Sequence, residues 1–330
     1  MAGPFVHRID PIITTIGGIH TWWYGLGYAL GFLEIFWYVQ RHRHELTLRQ
    51  RDVYVFTLLV ALGVLLGGRA IEVSFDEWGF YSRHPGLIPA LWLGGMATHG
   101  LLIGAAAGTL VFAVLYRQPF LELADLLAVP GAFLMGIGRL GNFIDGQIVG
   151  SLTTLPWGVV FPYADGARHP VVLYDGGKNL LLLLYLLHVR RTNATPGAVA
   201  ARFVFWYAFP RIFIDLLRDY PTHRLALGTG QTLNLVMAAI GLLLLYRSRL
   251  RRLGRLKPRQ VKRAGDSTPD AAPSVMLRAA LVAVLLFCLV IPSNWTQNVP
   301  AHYAGRHAGL QPSWLYPDID TSPAANPVTR

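Results

Sequence analysis

Apolar residues in this chain run in unbroken blocks rather than in stripes of helical or strand period, and polar residues collect between the blocks. A helix needs about 20 apolar residues to cross a hydrocarbon layer of about 30 Å. Blocks close to that length lie at Thr21–Val39, Val53–Ala70, Thr98–Tyr116, Leu121–Met135, Val171–Val189, Phe203–Leu217, Thr232–Tyr246 and Leu277–Ile291. The pattern predicts an all-α polytopic membrane protein of eight transmembrane helices, with a small external segment between the fourth and fifth. The first block is expected to be retained. It lacks a basic flank and carries Trp22, Trp23, Tyr24 and Tyr28 where a signal peptide would need small residues for cleavage.

Positive charge orients the spans, because Lys and Arg gather on the cytoplasmic side. Arg41, Arg43, Arg49 and Arg51 follow the first block, and Arg190, Arg191 and Arg202 lie between the fifth and sixth. A dense cluster from Arg247 to Arg263 follows the seventh. These loops alternate correctly with eight spans. The N-terminus, 71–97, 140–170, 218–230 and the tail after Pro292 are therefore expected outside. The expected organisation is a membrane domain over 1–246, a basic cytoplasmic linker over 247–275, an additional span over 276–292 and an external tail over 293–330. Of the formal net charge of +11, most sits in the 247–263 cluster. Beside a span such a cluster suits anionic membrane lipids far better than RNA, so no nucleic-acid partner is expected.

Composition narrows the chemistry. The chain is 53% apolar and 14% charged, with a single cysteine, Cys288, inside an apolar block. An intrachain disulfide is excluded, nothing suggests a thiolate metal site, and neither a metal nor a cofactor is expected.

Depth follows from the rise per residue. Tyr24 falls about one turn inside the outer end of the first span. Arg69 lies near the outer end of the second, and His99 at the outer start of the third. Arg139 and Asn142 fall just past the fourth, Asp175 about one turn into the fifth, and Arg211 with Asp215 at middle to outer depth in the sixth. Nearly every polar group in a span is in its outer half, which predicts one cavity open to the external face and laterally to the outer leaflet. Arg211, Asp215 and Arg218 share a helix face, so Asp215 is expected to hold both arginines. The pairs Gly63 with Gly67 and Gly104 with Gly108 have the spacing of closely packed membrane helices.

Each residue also has a plainer reading. His99 suits a hydrogen-bonded structural histidine, Arg139 a snorkelling anchor, Asn142 a helix cap, and Tyr24 an aromatic belt. Asp215 suits a counter-ion for Arg211, and Arg69 a structural cation more often than a functional one. The clustering favours chemistry. Arginine forks grip phosphate and stabilise charge on a phosphate leaving group, and a histidine can take a proton from a thiol. No serine nucleophile elbow or HExxH zinc motif is present.

These residues together resemble the prolipoprotein diacylglyceryl transferases of bacterial membranes. The resemblance runs from about residue 8 to 246. It rests on Asp10-Pro11, Trp23-Tyr24-Gly25-Leu26, Gly67-Gly68-Arg69, Gly94-Gly95-Met96 with His99-Gly100, and the run GRLGNFIDG that opens at Gly138, with its segment closing at Gly150. His169-Pro170, Leu173-Tyr174-Asp175, Arg211-Ile212 with Asp215 and Arg218, and Gly230-Gln231 follow in the same order.

The resemblance implies transfer of the diacylglyceryl group from phosphatidylglycerol to the lipobox cysteine thiol of a prolipoprotein, with release of glycerol phosphate. The site would face the periplasmic side of the bacterial inner membrane. By carry-over, His99, Tyr24, Arg139 and Arg211 are catalytic candidates. Asn142, Gly150, Asp145, Gln147, Asp175, Asp215 and Arg69 are candidates for substrate binding. The implied partners are phosphatidylglycerol, signal peptides with a lipobox cysteine, and membrane lipids.

The chain departs from the family at several points. Leu101 follows His99-Gly100 where a second glycine is usual; Gln147 replaces a usual glutamate; Asp175 and Asp215 stand where glutamate is usual. An extra span and tail follow Tyr246. The loss of charge at Gln147 bears most directly on the orientation of Arg139. The competing class is a phospholipid-binding membrane protein that keeps the pocket without the chemistry. A transporter is disfavoured because the charges cluster in one leaflet and no inverted repeat is visible.

Overall fold

A computed structural model describes residues 3–192, 195–219, 229–254, 272–296 and 299–319. Its long helices are α1 (Trp23–His42), α2 (Gln50–Ile71), α3 (Thr98–Leu115), α4 (Phe120–Ile144), α5 (Val171–Thr192), α6 (Ala198–Asp215), α7 (Thr229–Arg252) and α8 (Val275–Leu289). The segments Gln50–Asp76, Thr98–Leu115, Phe120–Ile144 and Gly230–Arg252 are long and apolar enough to cross a membrane by length and composition, and Val275–Leu289 is apolar but shorter. In α5 and α6, Asp175, Lys178, Arg211 and Asp215 interrupt the apolar run.

Helices α1, α2, α3, α5 and α8 start and end within three residues of their apolar blocks, α6 starts five residues early and α7 ends six residues late, whereas α4 runs to Ile144 instead of Met135. The apolar pattern stops there because side chains begin to face a polar cavity, not because the helix ends. Arg139 and Asn142 are consequently one turn apart on α4 itself, rather than beyond it. The N-terminus of α6 is held by Asp125 of α4, whose carboxylate accepts from the backbone of Gly197 and Ala200 at 2.7 Å each. An anion at a helix N-terminus satisfies otherwise unpaired N–H groups and complements the helix dipole.

Close backbone approach organises the bundle, as expected where lipid offers no hydrophobic drive between helices. A Cβ on Gly104 of α3 would lie 1.9 Å from the carbonyl oxygen of Gly63 of α2, and one on Gly100 would lie 2.2 Å from that of Gly67. The α1–α4 seam is made the same way, since a Cβ on Gly141 would meet the Tyr24 backbone at 2.7 Å. Helix α8 packs against α1 where a Cβ on Gly25 would stand 2.1 Å from the carbonyl of Cys288.

The end of the bundle at which α4 finishes carries a folded cap. Strands β2 (Ile12–Ile16) and β3 (Ile19–Trp22) form a hairpin whose turn residues Gly17 and Gly18 both have positive φ. A small sheet joins β1 (Phe5–Val6), β4 (Val159–Val160) and β5 (Ala167–Arg168). These strands are too short to stand out as sequence alternation. A second apolar cluster buries Trp22, Trp295, Tyr303 and Tyr316, with the Trp22 indole donating to the Tyr316 hydroxyl at 3.0 Å. Of the segment after Pro292, the described residues 293–296 and 299–319 are thus joined to the cap through Trp295, Tyr303 and Tyr316. Linker residues 255–271 lie outside the described set.

Candidate functional site

Beneath the cap lies a cavity of about 350 Å³, lined among others by Tyr24 and Tyr28 of α1, Thr98 and His99 of α3, Arg139 and Asn142 of α4, Gln147 and Arg211. Glu72, Asp76 and Met96 complete another part of its wall. Gly138 has open space where a Cβ would project, so the run around Arg139 leaves room on the cavity side of α4.

One carboxylate organises the cationic wall. Asp175 accepts from Arg139 Nε at 2.6 Å and from Arg211 Nη1, and pairs with Lys178 Nζ at 2.9 Å. The guanidinium of Arg139 continues outward, donating to Asn142 Oδ1 at 3.1 Å and to Thr98 Oγ1 at 3.0 Å. It is therefore not a snorkelling anchor: it is buried and held from α3, α4 and α5 at once. Lys178 also donates to the Tyr207 carbonyl at 2.8 Å and sits 4.2 Å over its ring.

Arg211 has the expected anion and a second one: Asp215 lies 3.7 Å from its Nε, and Asp175 accepts from its Nη1. Helix α6 ends at Asp215, so Arg218 falls beyond the regular helix face, where it lines the cavity and its backbone bridges to Gly150.

Asp215 also accepts from Asn234 Nδ2 at 2.8 Å, and Asn234 Oδ1 lies 3.2 Å from His99 Nε2. Because the amide nitrogen is committed to the carboxylate, the amide oxygen must face the imidazole. The network therefore assigns the His99 proton to Nε2 and leaves Nδ1 as the acceptor. Tyr24 and Tyr28 share a hydrogen bond of 3.0 Å between their hydroxyls, and both are buried, so Tyr24 is not part of an exposed aromatic belt.

Besides Asp175 and Asp215, which stand behind the cationic wall, three more candidates lie apart from the cavity lining. Arg69 is buried and donates to the backbone carbonyls of Ile88, Gly94 and Leu87 at 3.1, 2.6 and 2.8 Å, with Tyr81 stacked 4.6 Å away. It organises the loop between α2 and α3, since its donors are spent on that loop. Gly150 is a packing position, where a Cβ would lie 2.5 Å from the His169 carbonyl and 2.9 Å from that of Leu217. Asp145 accepts from the Ser293 backbone at 3.1 Å and from the Tyr303 hydroxyl at 3.2 Å. Burial pushes its carboxyl up to about 7, opposed by those two bonds and by Arg306.

Several groups at the site escaped the sequence reading. Lys178 and Asn234 are polar residues inside apolar blocks, a signal that would have found them. Thr98 adjoins His99. Ser293 and Asn294 line the cavity from the segment after α8, and no local pattern announces them.

The fold and the cavity define a helical membrane-type protein with a buried two-arginine pocket and a histidine of assigned tautomer. Comparison makes this definite. The sequence profile described as Prolipoprotein diacylglyceryl transferase matches residues 11–247, and the chain belongs to that family. It is 38% identical over 254 residues to the phosphatidylglycerol–prolipoprotein diacylglyceryl transferase of Nitrosomonas europaea, covering 72% of this chain and 90% of that protein. It is 36% identical over 244 residues to the protein of the same name from Geobacter sulfurreducens, covering 71% of this chain and 94% of that one. The chain is accordingly an enzyme of the transferase class.

Proposed function

We propose that this chain moves the diacylglyceryl group of phosphatidylglycerol onto the lipobox cysteine thiol of a prolipoprotein. Sulfur bonds to the glyceryl carbon, the carbon–oxygen bond to phosphate breaks, and glycerol phosphate leaves. The observation that carries the reading is the pair Arg139 and Arg211, both buried at the cavity wall and both tied to Asp175. Fixed cations in a water-poor site stabilise charge that develops on a leaving phosphate, and guanidinium forks match its oxygens. Asn142 extends that wall.

The thiol proton has a nearby acceptor in His99 Nδ1, since Asn234 holds Nε2–H. Tyr24, bonded to Tyr28, faces the same space and suits a hydroxyl contact to the lipid glycerol. Gln147 offers hydrogen bonding without charge. Asp175 and Asp215 act through the residues they hold rather than on the lipid.

The site belongs to the external half of an eight-span protein of the bacterial inner membrane, facing the periplasm. This agrees with the basic last turns of α1, α5 and α7 lying at the opposite end of the helices from the cavity.

The test is a mass-shift assay with purified full-length protein, phosphatidylglycerol in micelles and a lipobox peptide. A diacylglyceryl adduct on cysteine, abolished in His99→Ala and Arg139→Ala, is expected. A folded protein that binds the lipid and yields no adduct would refute the transferase reading.

A further inference from the structure

The family match ends at residue 247, yet the chain beyond it reaches the cavity. Ser293 and Asn294 are buried there. The Ser293 hydroxyl accepts from Asn142 Nδ2 at 3.0 Å and donates to Gln147 Oε1. Asn294 donates to Glu77, and its own amide oxygen accepts from the Thr296 backbone at 2.9 Å.

The backbone of this segment is fastened on both sides. Gly95 N–H donates to the Ser293 carbonyl at 2.8 Å, and Trp295 N–H to that of Leu93 at 2.8 Å. A Cβ on Gly94 would lie 2.2 Å from the Pro292 carbonyl, so the approach depends on a glycine there. Further along, Arg306 donates to the carbonyls of Ile144 and Asp145 at 2.9 and 2.7 Å, satisfying the end of α4. One set of fastenings grips the loop between α2 and α3, and the other grips the helix end that carries Arg139 and Asn142.

We propose that the C-terminal segment is a constituent of the active site and that Ser293 is a positioning residue for Asn142 and, through it, for Arg139. The inference rests on the transferase reading above. An amide that accepts from Arg139 through its oxygen must donate through its nitrogen, or the two ends are free to exchange. Only a group that accepts from Asn142 and donates to Gln147 at once satisfies both amides, and a hydroxyl does so. The segment delivers that hydroxyl to the last turn of α4 and closes the cavity wall beside it with Asn294.

The experiment uses full-length protein, phosphatidylglycerol micelles and a lipobox peptide, with kcat and KM measured separately. Ser293→Ala is expected to lower kcat about tenfold, the scale of one lost neutral hydrogen bond, with KM for the peptide unchanged. Ser293→Thr, which restores the hydroxyl, is expected to recover kcat to within about twofold. Wild-type kcat in Ser293→Ala overturns the proposal. So does a folded Ser293→Thr as slow as Ser293→Ala. Absence of any adduct from the wild-type protein would instead overturn the transferase reading. The positional claim is then decided by phosphatidylglycerol binding, where equal affinities for wild type and Ser293→Ala overturn it.

Discussion

Replacing Asp175 with Asn tests the electrostatic account of the site most directly. The carboxylate faces Arg139, Arg211 and Lys178, and Asp215 is the other anion near Arg211. These five groups sum to three positive and two negative charges, a surplus of one. All are buried except for a small exposed part of Lys178. Asp175→Asn raises the surplus to two and leaves three donors facing a single amide oxygen. Removing one partner of a buried charge pair costs about 3–5 kcal/mol, because the remaining charge stays desolvated.

Part of that cost is recovered when an anionic phosphate docks, so lipid binding and catalysis should separate. Thermal unfolding in detergent should show a marked loss of stability, and added phosphatidylglycerol should restore more stability to the variant than to wild type. Since Arg139 loses its Nε anchor, kcat should fall by about 10²–10³, the scale of losing one preorganised donor. Wild-type stability together with wild-type kcat would refute the argument that this carboxylate holds the arginines.

Three further outcomes are expected. Asn234→Ala should lower kcat about tenfold with phosphatidylglycerol affinity little changed, because it frees the His99 tautomer and leaves the bonds of Arg139 and Arg211 to Asp175 in place; weaker lipid binding at unchanged kcat would contradict this. Gly104→Val should destabilise the protein by at least about 1–3 kcal/mol in detergent unfolding, since its Cβ would stand 1.9 Å from the Gly63 carbonyl. Burial pushes the folded Asp145 carboxyl up to about 7 against an ordinary value near 3.8, so its contribution to folding stability is full below about pH 4 and is lost as pH rises through 7, by at most on the order of 4 kcal/mol. Thermal unfolding in detergent should therefore show a smaller loss of stability between pH 5.5 and pH 8 in Asp145→Asn than in wild type, and equal losses would contradict this.

The helices were legible because a bilayer-length apolar run is a strong signal, and α1, α2, α3 and α5 follow their blocks closely. The end of α4 was not, because apolarity reports what a side chain faces and not whether the backbone is helical. The convergence of Tyr24, His99, Arg139, Asn142 and Arg211 on one cavity was readable from depth alone. Which anion serves which cation was not. Spacing along one helix favoured Asp215 for Arg211, whereas the bond to Asp175 depends on how α5 packs against α4 and α6. Arg69 and Gly150 carry motifs as distinctive as that of His99, yet both serve the backbone around the cavity, a distinction visible only once their neighbours are known.

Two amides divide the labour of the site, and each gets its direction from a hydrogen-bonding neighbour. Asn234 is turned by Asp215 and thereby fixes the proton on His99 Nε2. Asn142 is turned by Ser293 on one side and Arg139 on the other. A carboxylate at either place would add a buried charge beside the arginines and cancel the surplus of one among those five groups. An amide supplies direction without charge, so the His99 side and the arginine side can be oriented independently in one small cavity. The same reasoning gives Gln147 a physical role in this chain. Bonded through its oxygen to Ser293, it completes the neutral chain that a glutamate would convert into an additional anion close to Asp145 and Asn142.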